Sequence, residues 1–345
     1  MHNLFITCNI QLLWVIHALE SIGEVIDRLI TVDIGGRGVI LKLYSAVREK
    51  SEGPLVLSTA KSLKENVSKG DYVIITTGFR IPPLFIQETD GPTGAASIAR
   101  AVDVALGATP IMVTEPIELS QKILEVACRS IGLSILPTDV VKKPGIKHVT
   151  TIIGFPIDEK EAYEEAKKII DEFNPSAIIA IEKASRNRKG VYHNMRGLDI
   201  TPYHSKIEYL FEEAKKRGIL TIGIGDGGNE VGMGIIEETV RKYVPYGDKC
   251  QCPCGGGIAS SSITDKLIVA SISNWGGYAL AGLLGKLTNK PGALHEPEQE
   301  FKMLFRISDI GSVDGINGFA IESVDNVPLD IHISLIKMLR EMIKR

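Results

Sequence analysis

Short β-branched apolar runs alternate with amphipathic stretches along most of this chain. The clearest run is Ile219 to Gly225, ILTIGIG, which carries no charge and has the pattern of a buried strand. A turn follows at Asp226-Gly227-Gly228, then Asn229-Glu230, and the pattern predicts a helix from there to about Tyr243. Tyr72 to Thr77 repeats the arrangement, with a long loop before a predicted helix from Ala95 to Leu106. Further strands are predicted at Pro110–Thr114, Lys147–Ile153, Ala177–Ile181 and Leu267–Ile272. Helices are predicted near Leu119–Ile131, Lys160–Phe173, 203–217 and Asn274–Leu287. Such alternation predicts an α/β fold, a mainly parallel sheet with helices on both faces.

The two ends read differently. Residues 20–33 and 39–50 have helical periodicity, broken by DIGGRG at 33–38, and Leu55 to Val67 reads as a third helix. Residues 1–70 therefore predict a helical N-terminal layer packed on an α/β catalytic core at 71–345. No repeat or Pro/Ser linker divides the chain, so one domain is expected. Helices near Glu298–Phe305 and Leu329–Lys344 close it, with 309–328 between them expected as a loop carrying one edge strand. Residues 1–18 are apolar but interrupted by Asn9, Gln11 and His17. They read as neither signal peptide nor membrane span. A docking arm and a true start further along are the two readings of that stretch.

Composition narrows the function. Of 345 residues 34 are Gly while aromatics are only 6%, which suits many strand-to-helix turns better than a β-sandwich. A net charge of -3 without a basic cluster argues against nucleic acid as a partner. Five cysteines in a chain this long do not make a disulfide framework, so a reducing, cytoplasmic setting is expected. A small-molecule substrate is the expected partner, with no membrane, and a homo-oligomer stays open.

Four post-strand regions are rich in polar residues and Gly: TGFRIPP with ETDGPTG (77–83 and 88–94), the loop at 181–197, GDGGNEVGMG (225–234) and SNWGG (273–277). Strand ends of a doubly wound sheet share one edge, so these loops can converge. Asp226 suits a metal ligand, an acceptor for an ammonium group, or a helix cap, and Asn229 also suits a cap. Glu230 is the first choice for proton transfer, although a helix start favours a carboxylate anyway. Asp90 and Glu88 pose the same question, Asp90 being also a good turn residue. Arg80 and Arg196 are candidate carboxylate clamps, with His193 and Asn194 beside Arg196. Arg37, between glycines, suits an anion or a backbone bridge. No nucleophile elbow, Walker loop or convincing dinucleotide fingerprint is present. Cys250, Cys252 and Cys254 form CQCPC, spaced unlike a zinc CxxC pair. Metal binding, a redox pair and a tight buried loop are the alternatives, and no fourth ligand is identifiable.

Together GIGDGGNEVGMG, ETDGPTGA with TGFRIPP, IEKASRNRKGVYHNMRGLDI, and CGGGIAS before SISNWGGYAL resemble the D-glutamate cyclase family, over roughly residues 20–330. The resemblance implies a lyase converting D-glutamate to 5-oxo-D-proline with loss of water, the substrate being D-glutamate or a similar acidic amino acid. No cofactor is required in principle, since closing a five-membered lactam is intramolecular. A divalent ion, Mn or Mg, held by Asp226 and Glu230 or by Asp90 is the alternative. Allotting roles by residue chemistry makes Glu230 the base and Asp226 the ammonium holder, with Asp90 assisting. Arg80 or Arg196 would clamp carboxylates, and the amides of Gly227 and Gly228 would form an oxyanion hole. Asn194, Asn229 and Asn274 join the substrate-binding set. Rival readings are a divalent-metal hydrolase or lyase on another small carboxylate or phosphorylated metabolite, and a non-catalytic amino-acid binder.

Overall fold

The computed structural model describes residues 17–344, so the arm or late start considered for 1–18 lies almost wholly outside the described residues. The main sheet has seven strands. They are β1 (Tyr72–Gly78), β2 (Thr109–Thr114), β3 (Ser134–Ile135), β4 (Val149–Gly154), β5 (Ala177–Lys183), β6 (Leu220–Gly225) and β7 (Lys266–Val269). All pair in parallel, in the order β3-β4-β2-β1-β5-β6-β7. The short edge strand β3 and the helix Thr138–Val141 after it were not anticipated, because two strand residues leave no periodicity to read.

Alternate side chains of each central strand enter opposite layers, as a period of two requires. Val73 and Ile75 of β1 and Ile179 and Ile181 of β5 join a large core that includes Ile98, Leu280 and Leu283 from the helices Pro92–Ala101 and Ser273–Leu287. Ile74 and Ile178 face the other way, against Ile169 and Phe173 of Glu159–Phe173 and Leu210 of Glu208–Lys216. Helices thus cover both faces, which explains why the central strands are apolar throughout. The N-terminal layer is helical over 17–30, Ile40–Arg48 and Leu55–Asn66. Ile26, Ile30, Val56 and Leu63 bury into the large core. Among the described residues no helix is long and apolar enough to cross a membrane.

Strand order reverses between β1 and β5. The chain leaves β1 toward β2 on one side and leaves β5 toward β6 on the other, so their outgoing loops part and open a crevice. The ladder between them is irregular there. Thr76 pairs with Ala180 but Gly78 pairs with Lys183, so β5 carries one extra residue across this step. The bulge turns Glu182, whose φ of 41° is left-handed, a conformation that non-glycine residues rarely adopt.

Two expectations need correction. The helix expected from Asn229 starts only at Glu237, after a 3-10 turn at Met233–Ile236. The amide of Val231 donates to Lys183 O at 2.9 Å, and Ala184 bridges Glu230, so the chain runs along the sheet rim before winding. Gly232, at φ 98°, then makes the reversal. Residues 309–328 hold not one edge strand but an antiparallel ribbon, Ser323–Val324 with Val327–Pro328. Asp325 and Asn326 at its tip have φ of 51° and 65°, the signature of a type I′ turn.

Beneath the crevice Lys183 and Glu115 form an ion pair, both side chains 0% exposed. Ser205 N also donates to Glu115, at 2.6 Å, which ties the ends of β2 and β5 to the loop before Glu208–Lys216. Lys183→Met alone is expected to cost about 3–5 kcal/mol, because it strands a buried carboxylate. Adding Glu115→Gln should recover most of that loss in denaturant melts of the double variant.

Candidate active site

At the carboxyl ends of β1, β5 and β6 lies a cavity of about 610 Å³. Loops after all three strands reach it, and so do two segments from outside the sheet. Arg37 comes from the break between the first two helices, and Gly315 to Gly318 and Asp325 come from the C-terminal segment and its ribbon. Asp314 shapes that segment by accepting from Ile316 N at 2.9 Å, Ser323 Oγ at 2.6 Å and Asn326 N at 2.7 Å.

One side of the cavity is crowded with carboxylates. An oxygen from each of Asp90, Asp226 and Asp325 lies within 4.8 Å of the others, and so does one from each of Glu182, Asp226 and Glu230. Asp226 belongs to both groups. Glu88, Glu182, Asp226 and Asp325 line the cavity. Arg37 is the cation in direct contact, with Nη2 2.9 Å from Asp226 Oδ2 and 2.8 Å from Ser271 O.

Two helix ends hold this charge. The Asp90 carboxylate accepts from the amides of Ser273 and Asn274, each at 2.9 Å, at the start of Ser273–Leu287. In return Asn274 Oδ1 accepts from Gly91 N at 2.9 Å and Gly94 N at 2.7 Å, at the start of Pro92–Ala101. Each helix is capped by the other's neighbouring side chain. Both positive ends therefore meet at the acidic side. Gly94 and Gly277 permit the approach, since a Cβ on Gly277 would lie 3.0 Å from Gly94 O.

Burial is the main force on these acids. It raises Asp90 to about 7, helped by the nearby Asp226 and opposed by the three amides that it accepts. Glu230 also rises to about 7 through burial and Asp226, against the amides of Asp226, Gly227 and Gly228. Glu88, Glu182 and Asp325 are pushed well above the ordinary carboxylate range, by burial first and then by neighbouring acids. Carboxyls so placed exchange protons near neutrality or gather a cation.

Several predicted roles are redistributed. Glu230 Oε1 accepts from Gly227 N at 2.6 Å and its Oε2 from Gly228 N at 2.7 Å. Those amides have no free hydrogen for a substrate oxyanion, and Glu230 braces the turn from behind, outside the cavity lining. Arg80 does not line the cavity either. Its Nη1 donates to Tyr203 O at 3.2 Å and its amide to His204 Nε2 at 2.9 Å. Asn274 is fully buried and spent on capping. Asn229 and Asn194 do line the cavity. Asn229 Nδ2 holds His193 O at 2.8 Å, and Asn194 Oδ1 accepts the amides of Arg196 and Leu198 at 3.0 Å each. Arg196 lines the mouth, and its guanidinium has no hydrogen bond or ion pair among the described residues. His193, beside Arg196 in the sequence, does not line the cavity. It is 1% exposed and turned away from the cavity toward the cysteines.

Glu182 and Asp325 are charged cavity residues that pattern reading did not select. Glu182 ends a strand and gives no hint of the bulge that aims it. Arg37 was singled out only as an anion or bridging candidate. Asp325 had one usable signal, Asp-Asn between valines, which suits a tight hairpin.

A family model described as D-glutamate cyclase-like, C-terminal, matches residues 26–340. The chain belongs to that D-glutamate cyclase-like family. A human relative, D-glutamate cyclase, mitochondrial, is 33% identical over 275 residues, which is 77% of this chain and 39% of the relative. This family member thus spans well under half of that protein's length.

Because Asp90 and Glu230 rise to about 7, each contributes stability that is full below about pH 4 and lost as pH passes about 7. A divalent cation is therefore expected to raise Tm more at about pH 8 than at about pH 5, where the carboxyls keep their protons. Asp325→Asn, which removes one carboxylate from the Asp90, Asp226 and Asp325 group, should shrink that difference. Equal shifts at both pH values would show that these acids do not hold the ion.

Proposed function

We propose that this chain cyclises D-glutamate to 5-oxo-D-proline, or a closely similar acidic amino acid to its own lactam, with release of water. The observation that carries the reading is the pairing, across one small cavity, of carboxyls that burial lifts well above their ordinary range with the unpaired guanidinium of Arg196. Arg196 takes the α-carboxylate. The α-ammonium turns to Asp226 and Asp325, whose oxygens accept its hydrogen bonds, and Asp226 removes one proton. The freed amine attacks the γ-carbon and the C–N bond forms. Glu182, kept protonated by burial, delivers a proton to the departing γ-oxygen. As the C–O bond breaks, the second nitrogen proton passes to the Glu182 carboxylate and the proton on Asp226 goes to the departing oxygen, which leaves as water with both acids back in their starting states.

Asp90, Asp226 and Asp325 form an all-oxygen donor set with an excess of negative charge, which suits Mn or Mg. Bound there, such an ion would polarise the γ-carboxyl. Asp90 would then serve both the ion and the helix cap. The acidic crowding supports catalysis over passive binding, since a pure receptor for an anion has little use for more carboxylates.

Incubation with D- and L-glutamate, following 5-oxoproline by mass spectrometry with and without chelator, tests the reading. Cyclised product from the D-isomer is expected, and unchanged ligand would overturn it. Asp226→Asn should lower kcat by about 10²-fold or more. Arg196→Ala should instead raise KM by about 10-fold or more with kcat less affected, as loss of a charged contact to the non-reacting carboxylate requires.

A further inference from the structure

We propose that Cys250, Cys252, Cys254 and His193 form a closed structural zinc site, separate from the acidic cavity. One ligand atom from each lies within 4.8 Å of all the others. Cys250 Sγ is 3.5 Å from Cys252 Sγ and 3.3 Å from Cys254 Sγ. His193 Nε2 is 3.2 Å from Cys252 Sγ and 3.6 Å from Cys254 Sγ. A tetrahedron with Zn–S near 2.3 Å and Zn–N near 2.0–2.1 Å has S···S edges of about 3.8 Å and S···N edges of about 3.5 Å. The four atoms thus already stand close to the corners that zinc needs. A disulfide would need about 2.05 Å between sulfurs, so these thiols are not paired that way.

The fourth ligand comes from a different loop, 59 residues from Cys252 and 61 from Cys254, which is why CQCPC alone could not declare it. Three thiolates and one imidazole select zinc over hard cations and fill every position of a tetrahedral ion, leaving none open for chemistry. The surroundings suit thiolates. Gly256 N donates to Cys254 Sγ at 3.4 Å, and Asn187 Nδ2 lies 3.7 Å from the same sulfur. Three thiolates with Zn²⁺ keep one negative charge, and Lys189 Nζ stands beside it, 2.7 Å from Cys254 O.

The segment also calls for an internal tie. Residues 244–265 contain neither helix nor strand, an uncommon length for an ordered loop in a packed domain. Gln251 N donates to Gly197 O at 2.9 Å, so the cysteine loop lies directly against the turn of Asn194, Met195 and Arg196. Zinc would lock the two loops together and fix the cavity wall that carries Arg196, without touching substrate.

Metal analysis of the full chain purified without added metal or chelator tests this. About one zinc per chain is expected, retained in Asp226→Asn and lost in Cys254→Ser and His193→Ala. Should those variants fail to fold, cobalt exchanged into the unaltered chain decides independently. Tetrahedral thiolate ligation gives intense visible bands and sulfur-to-cobalt charge transfer, which carboxylates cannot produce. Asn187→Ala should weaken zinc retention against a competing chelator by about 10-fold or more. Metal that follows Asp226 rather than the cysteines, absence of the thiolate–cobalt bands, or a Cys250–Cys254 disulfide in freshly purified chain would each overturn the assignment.

Discussion

Concentrated negative charge is the constraint around which this molecule is built. Asp90, Glu182, Asp226, Glu230 and Asp325 converge with Arg37 as their contacting cation. Left alone, such a group would repel itself apart or hold its protons far above neutrality. The fold answers by driving the starts of Pro92–Ala101 and Ser273–Leu287 against each other so that both deliver backbone amides to the same place. Asp90 and Asn274 are the link, each closing the other's helix. The remaining acids are held by the turn amides on Glu230 and by Ser273 Oγ, 2.6 Å from Glu182. The arrangement tolerates the charge without extinguishing it, which is the condition for proton exchange near neutrality.

Sheet topology supplies the place. A reversal between β1 and β5 opens a crevice that no side chain has to create, and a bulge at the same point turns Glu182 into it. Chemistry is then added by loops from both sides and by two segments that never join the sheet. The cysteine and histidine cluster stands one loop behind. It bears on the cavity through Gly197 and Asn194, a mechanical role rather than a chemical one.

The buried strands and the post-strand loops were legible because their causes are local. Isoleucine and valine runs between glycines permit little else, and Asp90, Arg196 and Asp226 were found by asking which loops share an edge. Roles were less legible, because a carboxylate looks the same whether it faces substrate or braces a turn. Glu230 was misplaced for this reason: the helix expected after Gly228 starts at Glu237, and the amides expected to be free are taken. Arg80 follows a strand as Arg196 does not, yet Arg80 turns to a backbone carbonyl and Arg196 faces the cavity. Asp325 and Arg37 come from chain segments remote from any strand of the main sheet, and His193 meets Cys252 and Cys254 across 59 and 61 residues. No one-dimensional spacing encodes those meetings.

The reciprocal capping has a consequence for biogenesis. Its two halves are separated by more than 180 positions, so during synthesis Asp90 leaves the ribosome long before Ser273 and Asn274 exist. Until the segment carrying Ser273 and Asn274 emerges, the Asp90 carboxylate lacks those two amides and the acidic cavity is unfinished. The cavity wall is therefore completed only once both halves of the capping exist. Contacts of such long sequence range also mark this part of the molecule as slow to assemble.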